Sequence, residues 1–147
     1  MFISQFNAAK LNHSLDHPSM KKFTDSLGKV NDIARGWPGF IWKLQDNTGH
    51  SAYIRTEKNP DMAINLSVWE SLENLSDFLN NSAHHYFYTN RRNWFQAPDE
   101  VHSVLWWIKK DKYPTLEEAW RRLEYLQEHG PTSYAFTFSK TFSATDI

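Results

Sequence analysis

The order in which two hydrophobic periods alternate constrains this 147-residue chain more than any other feature. Alternation every second residue marks strands, and spacing of three or four marks helices. Phe2-Ile3-Ser4-Gln5-Phe6-Asn7-Ala8 alternates as a strand. Met20, Phe23, Leu27, Val30 and Ala34 then share one face of a predicted helix over 18–35, entered at Asp16-His17-Pro18 and ended by Gly36 and Pro38. A second strand runs from Gly39 to Gln45 into the turn residues Asp46-Asn47-Thr48-Gly49. Asn59-Pro60-Asp61 leads to a third strand, Ile64 to Glu70. Ser71 opens a second helix with Leu72, Leu75, Phe78 and Leu79 on one face, and a further helical stretch covers about 82–92. Val101 to Ile108 reads as a fourth strand. Thr115 as cap and Glu118 at the capping-box position start a third helix that stops at Gly130-Pro131, and Ala135 to Phe138 is a short last strand. The order βαββαβ, followed by αβ, is the split pattern of ferredoxin-like folds. It predicts one α+β domain over 1–147, an antiparallel sheet with helices on one face.

Such a sheet leaves its other face to be covered or solvated. On the third strand Ile64, Leu66 and Val68 share one face, which suits packing under helices. Asn65, Ser67 and Trp69 share the other, and their mix of amide, hydroxyl and indole is that of a pocket lining. On the fourth strand Trp106 and Trp107 point opposite ways, and Trp42 on the second adds another ring. Seven Trp, six Tyr and ten Phe make up 16 % of the chain. Exposed tryptophans on a free sheet face form a patch that monomers avoid. A second subunit closing this face into a barrel-like cavity is therefore expected, giving a homodimer. The competing arrangement has the third helix fold across the face within one chain.

Charge and composition remove several function classes. Sixteen basic and 17 acidic residues give a net charge of −1, so the electrostatic footprint of a nucleic-acid binder is missing. The segment Arg35-Gly36-Trp37-Pro38-Gly39-Phe40 faintly echoes an RNA-recognition signature, but Pro38 interrupts it. No cysteine is present, which excludes disulfides, thiolate metal sites and thiol catalysis. The opening MFISQFNAAKLNHS is too polar for a signal peptide, and eighteen consecutive apolar residues occur nowhere, so a cytoplasmic protein without membrane contact is expected. His13 and His17 stand four apart, but a third metal ligand is not suggested, and a surface pair is the simpler reading. Glycine-rich phosphate loops, nucleophile elbows and paired carboxylates are also missing from the sequence.

Six ordered segments resemble the family known as domain of unknown function 3291. They are Gly39 to Gln45, Asn65-Leu66-Ser67-Val68-Trp69-Glu70-Ser71, Ser82-Ala83-His84, Arg91-Arg92-Asn93-Trp94-Phe95, Leu105-Trp106-Trp107, and Gly130-Pro131-Thr132 leading to Ala135 to Phe138. The resemblance spans nearly the whole chain and implies a dimeric α+β barrel. Val68-Trp69-Glu70-Ser71, Phe78 and Ser82-Ala83-His84-His85 are more distantly similar to antibiotic-biosynthesis-type monooxygenases. That likeness implies oxidation of quinols or polyketide aromatics without metal or flavin, with haem binding known among some relatives.

The stretch from Ser82 to Phe95 carries the most chemistry. On a helix His84, Tyr88 and Arg91 or Arg92 share a face. A histidine near neutrality serves as a general base or a haem ligand, and an arginine can orient an anionic oxygen. The bland reading has these side chains merely fixing the helix to its neighbours. The site expected from the sequence has His84 as base, Arg92 and Arg91 orienting an anion, and Trp42, Asn65, Trp69, Tyr88 and Trp107 lining a cavity for a small apolar or aromatic ligand. Two functions fit it: an oxygenase or isomerase that needs no cofactor, or a non-catalytic module binding an apolar molecule or haem. No metal site is expected.

Overall fold

The computed structural model describes residues 1–45, 59–82 and 84–146. Four strands, β1 (Phe2–Lys10), β2 (Phe40–Lys43), β3 (Met62–Trp69) and β4 (Ser103–Ile108), form one antiparallel sheet in the order β2-β3-β1-β4. The longest helices are α1 (Lys21–Gly36), α2 (Leu72–Asn81) and α5 (Leu116–His129), with the short α3 (His84–Thr89) and α4 (Arg91–Trp94) between α2 and β4. This is the ferredoxin-like arrangement that the order of periods predicts. The turn expected at 46–49 lies outside the described residues.

Local chemistry sets the boundaries. Ser71 Oγ accepts the Asn74 N–H at 3.0 Å, and Thr115 Oγ1 accepts the Glu118 N–H at 3.1 Å, so both caps fall where the sequence places them. Glu118 does not complete a reciprocal box: its carboxylate takes the Arg122 guanidinium at 3.0 Å. The first helix starts later than predicted. Pro18–Met20 forms a 3-10 turn capped by His17, whose Nδ1 accepts the Ser19 N–H, and His13 stacks on that ring. The helical stretch predicted over 82–92 breaks at Asn90, whose side-chain amide and backbone N–H both donate to the Tyr86 carbonyl, at 2.8 and 3.1 Å. The last predicted strand shrinks to two isolated bridges: Phe136 and Leu105 exchange backbone hydrogen bonds of 2.8 and 2.9 Å, and Thr137 bridges to Lys140.

Strand register divides the side chains between two cores. Ile3 stands opposite Trp69 and Trp107, Gln5 opposite Ser67 and Leu105, and Asn7 opposite Asn65 and Ser103. Cross-strand partners share a face. This face packs under α1 and α2 through Phe23, Leu27, Val30, Ala34, Leu75 and Phe78, with Phe87 of α3 and Trp94 of α4. The opposite face, with Phe6, Leu66, Val104 and Trp106, is covered by Ala119, Leu123 and Leu126 of α5. Burying each leucine there contributes about 1.5–3 kcal/mol.

One correction follows. The face of Asn65, Ser67 and Trp69 lies beneath α1 and α2, whereas the aliphatic face of Ile64 and Leu66 lies beneath α5. Helix α5 of the same chain thus covers the second face, the arrangement set against cover by a second subunit. The chain spent its third amphipathic helix on the second sheet face because every strand there presents large apolar groups.

Candidate functional site

A cleft of about 550 Å³ opens between α1 and the sheet and reaches around the end of β1. Its apolar wall comes from Phe23, Leu27 and Val30 of α1 and Phe87 of α3. Its floor is Asn7, Ala9, Ala63 and Asn65, from the adjacent strands β1 and β3. Small residues at Ala9 and Ala63 face each other in the ladder and leave room that larger side chains would fill. Lys43 at the end of β2 and Asn31 of α1 add polar groups.

His84 borders this cleft at the first position of α3. Its ring sits 5.5 Å from Phe78 and 6.3 Å from Phe87, between α2 and the rest of α3. Burial among these rings, with a smaller contribution from His85, lowers its pKa to about 4. The imidazole is therefore neutral at pH 7. Its buried Nδ1 has no hydrogen-bond partner among the described residues. A neutral ring with a vacant nitrogen can accept a proton from a bound hydroxyl or ligate a metal centre.

Tyr88, Arg91 and Arg92 stand at the mouth. The Arg91 guanidinium lies 4.0 Å from the Tyr88 ring centre and donates to the Tyr88 carbonyl at 2.7 Å. Arg92 donates to the Gln96 carbonyl at 3.5 Å. His102, at the same mouth, is held below its ordinary pKa by partial burial and then by the charges of Arg92 and Arg91. Asp99, Glu100 and Glu124 border the mouth as well, so it presents both signs of charge.

Five of the eight residues expected from the sequence thus meet at one cleft: His84, Arg91, Arg92, Tyr88 and Asn65. Asn65 is half-buried, and its amide makes no hydrogen bond among the described residues. The three tryptophans stand elsewhere. Trp69 is 1 % exposed and packs on Phe78 and Phe40. Trp107 donates its indole N–H to the Phe142 carbonyl at 2.7 Å, which ties the C-terminal segment to β4. Trp42 points to the α5 side and stacks on Tyr113 at 5.4 Å. Each indole has its own packing role, and none of the three lines the cleft.

Lys43 and Asn31 escaped the sequence reading. A lysine at a strand end and an asparagine on a polar helix flank both look solvated. Strand register alone places Lys43 opposite Ser67, on the face beneath α1, where its ammonium donates to Asn31 Oδ1. Burial, and then repulsion from Arg35, lowers its pKa to about 8.

Among the described residues there is no cluster of three or more metal-ligating side chains, and no helix is long and apolar enough to cross a membrane.

Solved structures share this architecture. A Nitrosomonas europaea protein named for the antibiotic biosynthesis monooxygenases superposes with a TM-score of 0.56 at 7 % identity, over 76 % of this chain and 94 % of that one. A conserved protein from Methanosarcina mazei gives 0.56 at 10 % identity, over 74 % and 94 %. SnoaB, a cofactor-independent oxygenase from Streptomyces nogalater, gives 0.51 at 12 % identity, over 78 % and 98 %. At these identities the likeness is one of fold. No protein of curated function matches the chain in sequence. The family model that does match covers residues 2–147, and the chain belongs to the domain of unknown function family DUF3291.

Proposed function

We propose that the cleft takes a small aromatic molecule bearing an acidic hydroxyl and that the protein acts on it as a cofactor-independent oxygenase or isomerase. The observation that carries this reading is the neutral imidazole of His84, which borders an apolar cleft and whose buried Nδ1 has no partner among the described residues, together with the Asn65 amide on the cleft floor, likewise without a partner among them. His84 accepts the hydroxyl proton, and the Asn65 amide donates to the anion that forms. A dry cleft strengthens that hydrogen bond and discourages the anion from recapturing a proton from water. Such an electron-rich anion can react with dioxygen directly, so that a ring CH2 flanked by aromatic rings plus O2 becomes a carbonyl plus water. The fold shared with SnoaB supports the class of chemistry, and a cleft of about 550 Å³ is within the ordinary range for drug-sized ligands.

A hydroxyanthrone in air tests the proposal. Oxygen uptake of one O2 per anthrone, with the quinone as product, is the expected result. His84→Ala should lower kcat by about 10²-fold or more, the usual contribution of a positioned base, with little change in ligand affinity. Unchanged turnover in that variant removes His84 from the role of base. Tight binding of hydroxyanthraquinone without turnover would favour the second reading, a binding module built on the same cleft. Haem is then the ligand to titrate, with a Soret band lost in His84→Ala as its signature.

A further inference from the structure

We propose that Lys43, held by Asn31, is the charge site of the cleft and that the ligand's ionised oxygen, whether a carboxylate or the oxygen that His84 has deprotonated, is seated on the Lys43 ammonium. This deepens the reading above and rests on it, because it concerns the ionic state in which an aromatic ligand occupies the same cleft.

The geometry points to an anion in three steps. Lys43 sits where β2 ends, paired with Ser67, and its side chain runs beneath α1 into the cleft. Asn31 Oδ1 accepts one of its three N–H donors, which leaves two for another partner. Among the described residues no carboxylate forms an ion pair with it, although exposed Lys10 and Lys21 are each paired with an aspartate. A partly buried ammonium without a counter-ion is costly, and burial here already lowers its affinity for the proton. It still carries its charge at pH 7, since about 8 lies above that pH. An anionic ligand supplies the missing counter-charge in a site where screening by water is weak.

The other polar groups fit the same occupant. Asn65, diagonal to Lys43 across the β2–β3 ladder, can donate to the second face of the same oxygen or to the second oxygen of a carboxylate. Phe23, Leu27 and Val30 offer the apolar wall that an aromatic ring would cover. The ligand class is thus an aromatic or alicyclic acid, either a carboxylate or a readily ionised phenol or enol.

Two probes of one shape test this directly. 2-Naphthoate is an anion at pH 7, and 2-naphthamide is its neutral analogue. Isothermal titration of the full chain should show naphthoate binding about tenfold or more tighter than naphthamide. Lys43→Met keeps the length of the stem and removes the charge, so it should abolish that preference and leave naphthamide affinity within about twofold. Thermal unfolding checks that this variant is folded, and Lys43→Arg should restore most of the preference. Equal binding of the two probes by the native chain, or an undiminished preference in Lys43→Met, overturns the assignment of Lys43 while leaving the cleft as a binding site. Failure of both probes to bind overturns the cleft reading, and the role of Lys43 with it.

Discussion

Trp69 donates its indole N–H to Ser67 Oγ at 3.0 Å, and Ser67 in turn donates to Gln5 Oε1 at 3.3 Å. This chain of polar atoms runs across β3 and β1 on the face beneath α1 and α2, and Gln5 extends it to Asn7 Oδ1 at 2.9 Å. Buried polar groups persist in a core only when paired, and here each member satisfies the next. Asn7 is also where the row reaches the cleft, so packing and site share one ladder.

Trp69 belongs to the packed end of that row. Trp69→Phe should keep most of the ring contacts with Phe78 and Phe40 but leave Ser67 short of a donor, at a cost of about 1–2 kcal/mol. Trp69→Ala should cost about 3–5 kcal/mol. Urea unfolding measures both. Affinity for 2-naphthamide should stay within about twofold in Trp69→Phe, and a large loss in a normally folded variant would show that the indole meets the ligand.

Burial of His84 makes stability depend on pH in a stated direction. Its folded pKa of about 4 lies below the ordinary 6.5, so between these values the unfolded chain binds a proton that the folded chain does not. The contribution is complete above pH 6.5, declines as pH falls through that window, and is gone near pH 4. The shift corresponds to about 3 kcal/mol at most. Unfolding free energies at pH 7 and pH 4.5 should therefore differ less in His84→Gln than in the native chain. Parallel pH profiles for the two proteins would place the His84 ring in water.

The caps and the succession of strands and helices along the chain are legible because each rests on a few adjacent residues. Ser71, Thr115 and the stop at Gly130 all act through their own backbone neighbourhood. Which helix covers which face depends on contacts between distant segments. Apart from half-buried Asn65, Ile64 through Trp69 is buried on both sides, a pattern that fits a strand covered on two faces. Reading only one of those faces as core leaves α5 without a place to pack. The same distance hid Lys43, whose role appears only when β2 pairs with β3 and α1 lies over both. His84, Tyr88 and the two arginines were found because helical spacing is local, and the break at Asn90 left them at one mouth.

Cover by α5 has its own consequence for stability. Leu123 is 2 % exposed against Phe6, Leu66 and Trp106, so Leu123→Ala should cost about 2–5 kcal/mol. Thr115→Ala, which removes the cap at 3.1 Å, should cost about 1 kcal/mol. Chemical unfolding of the two variants should keep that ranking. Gly39 sets a comparable limit at the other end of the sheet. Its φ is +87°, and a Cβ there would fall on the Asn74 side chain, so Gly39→Ala should lower the unfolding midpoint more than Thr115→Ala does.

The mouth of the cleft can be tested through His102. Partial burial is the larger cause of its lowered pKa, and the positive charges of Arg92 and Arg91 add to it. Replacing Arg92 by Gln removes one repulsive charge from beside the imidazolium, so protonation becomes easier and the His102 pKa should rise. It should remain below the ordinary 6.5, because the burial is unchanged and Arg91 is held in place over Tyr88. Raising the ionic strength should weaken the difference between variant and native chain, since screening acts on the charge and not on the burial. Proton NMR of the His102 ring through a pH titration reads the change directly. A His102 pKa that stays fixed or falls in Arg92→Gln would mean that the guanidinium points away from the mouth and from any anion entering there.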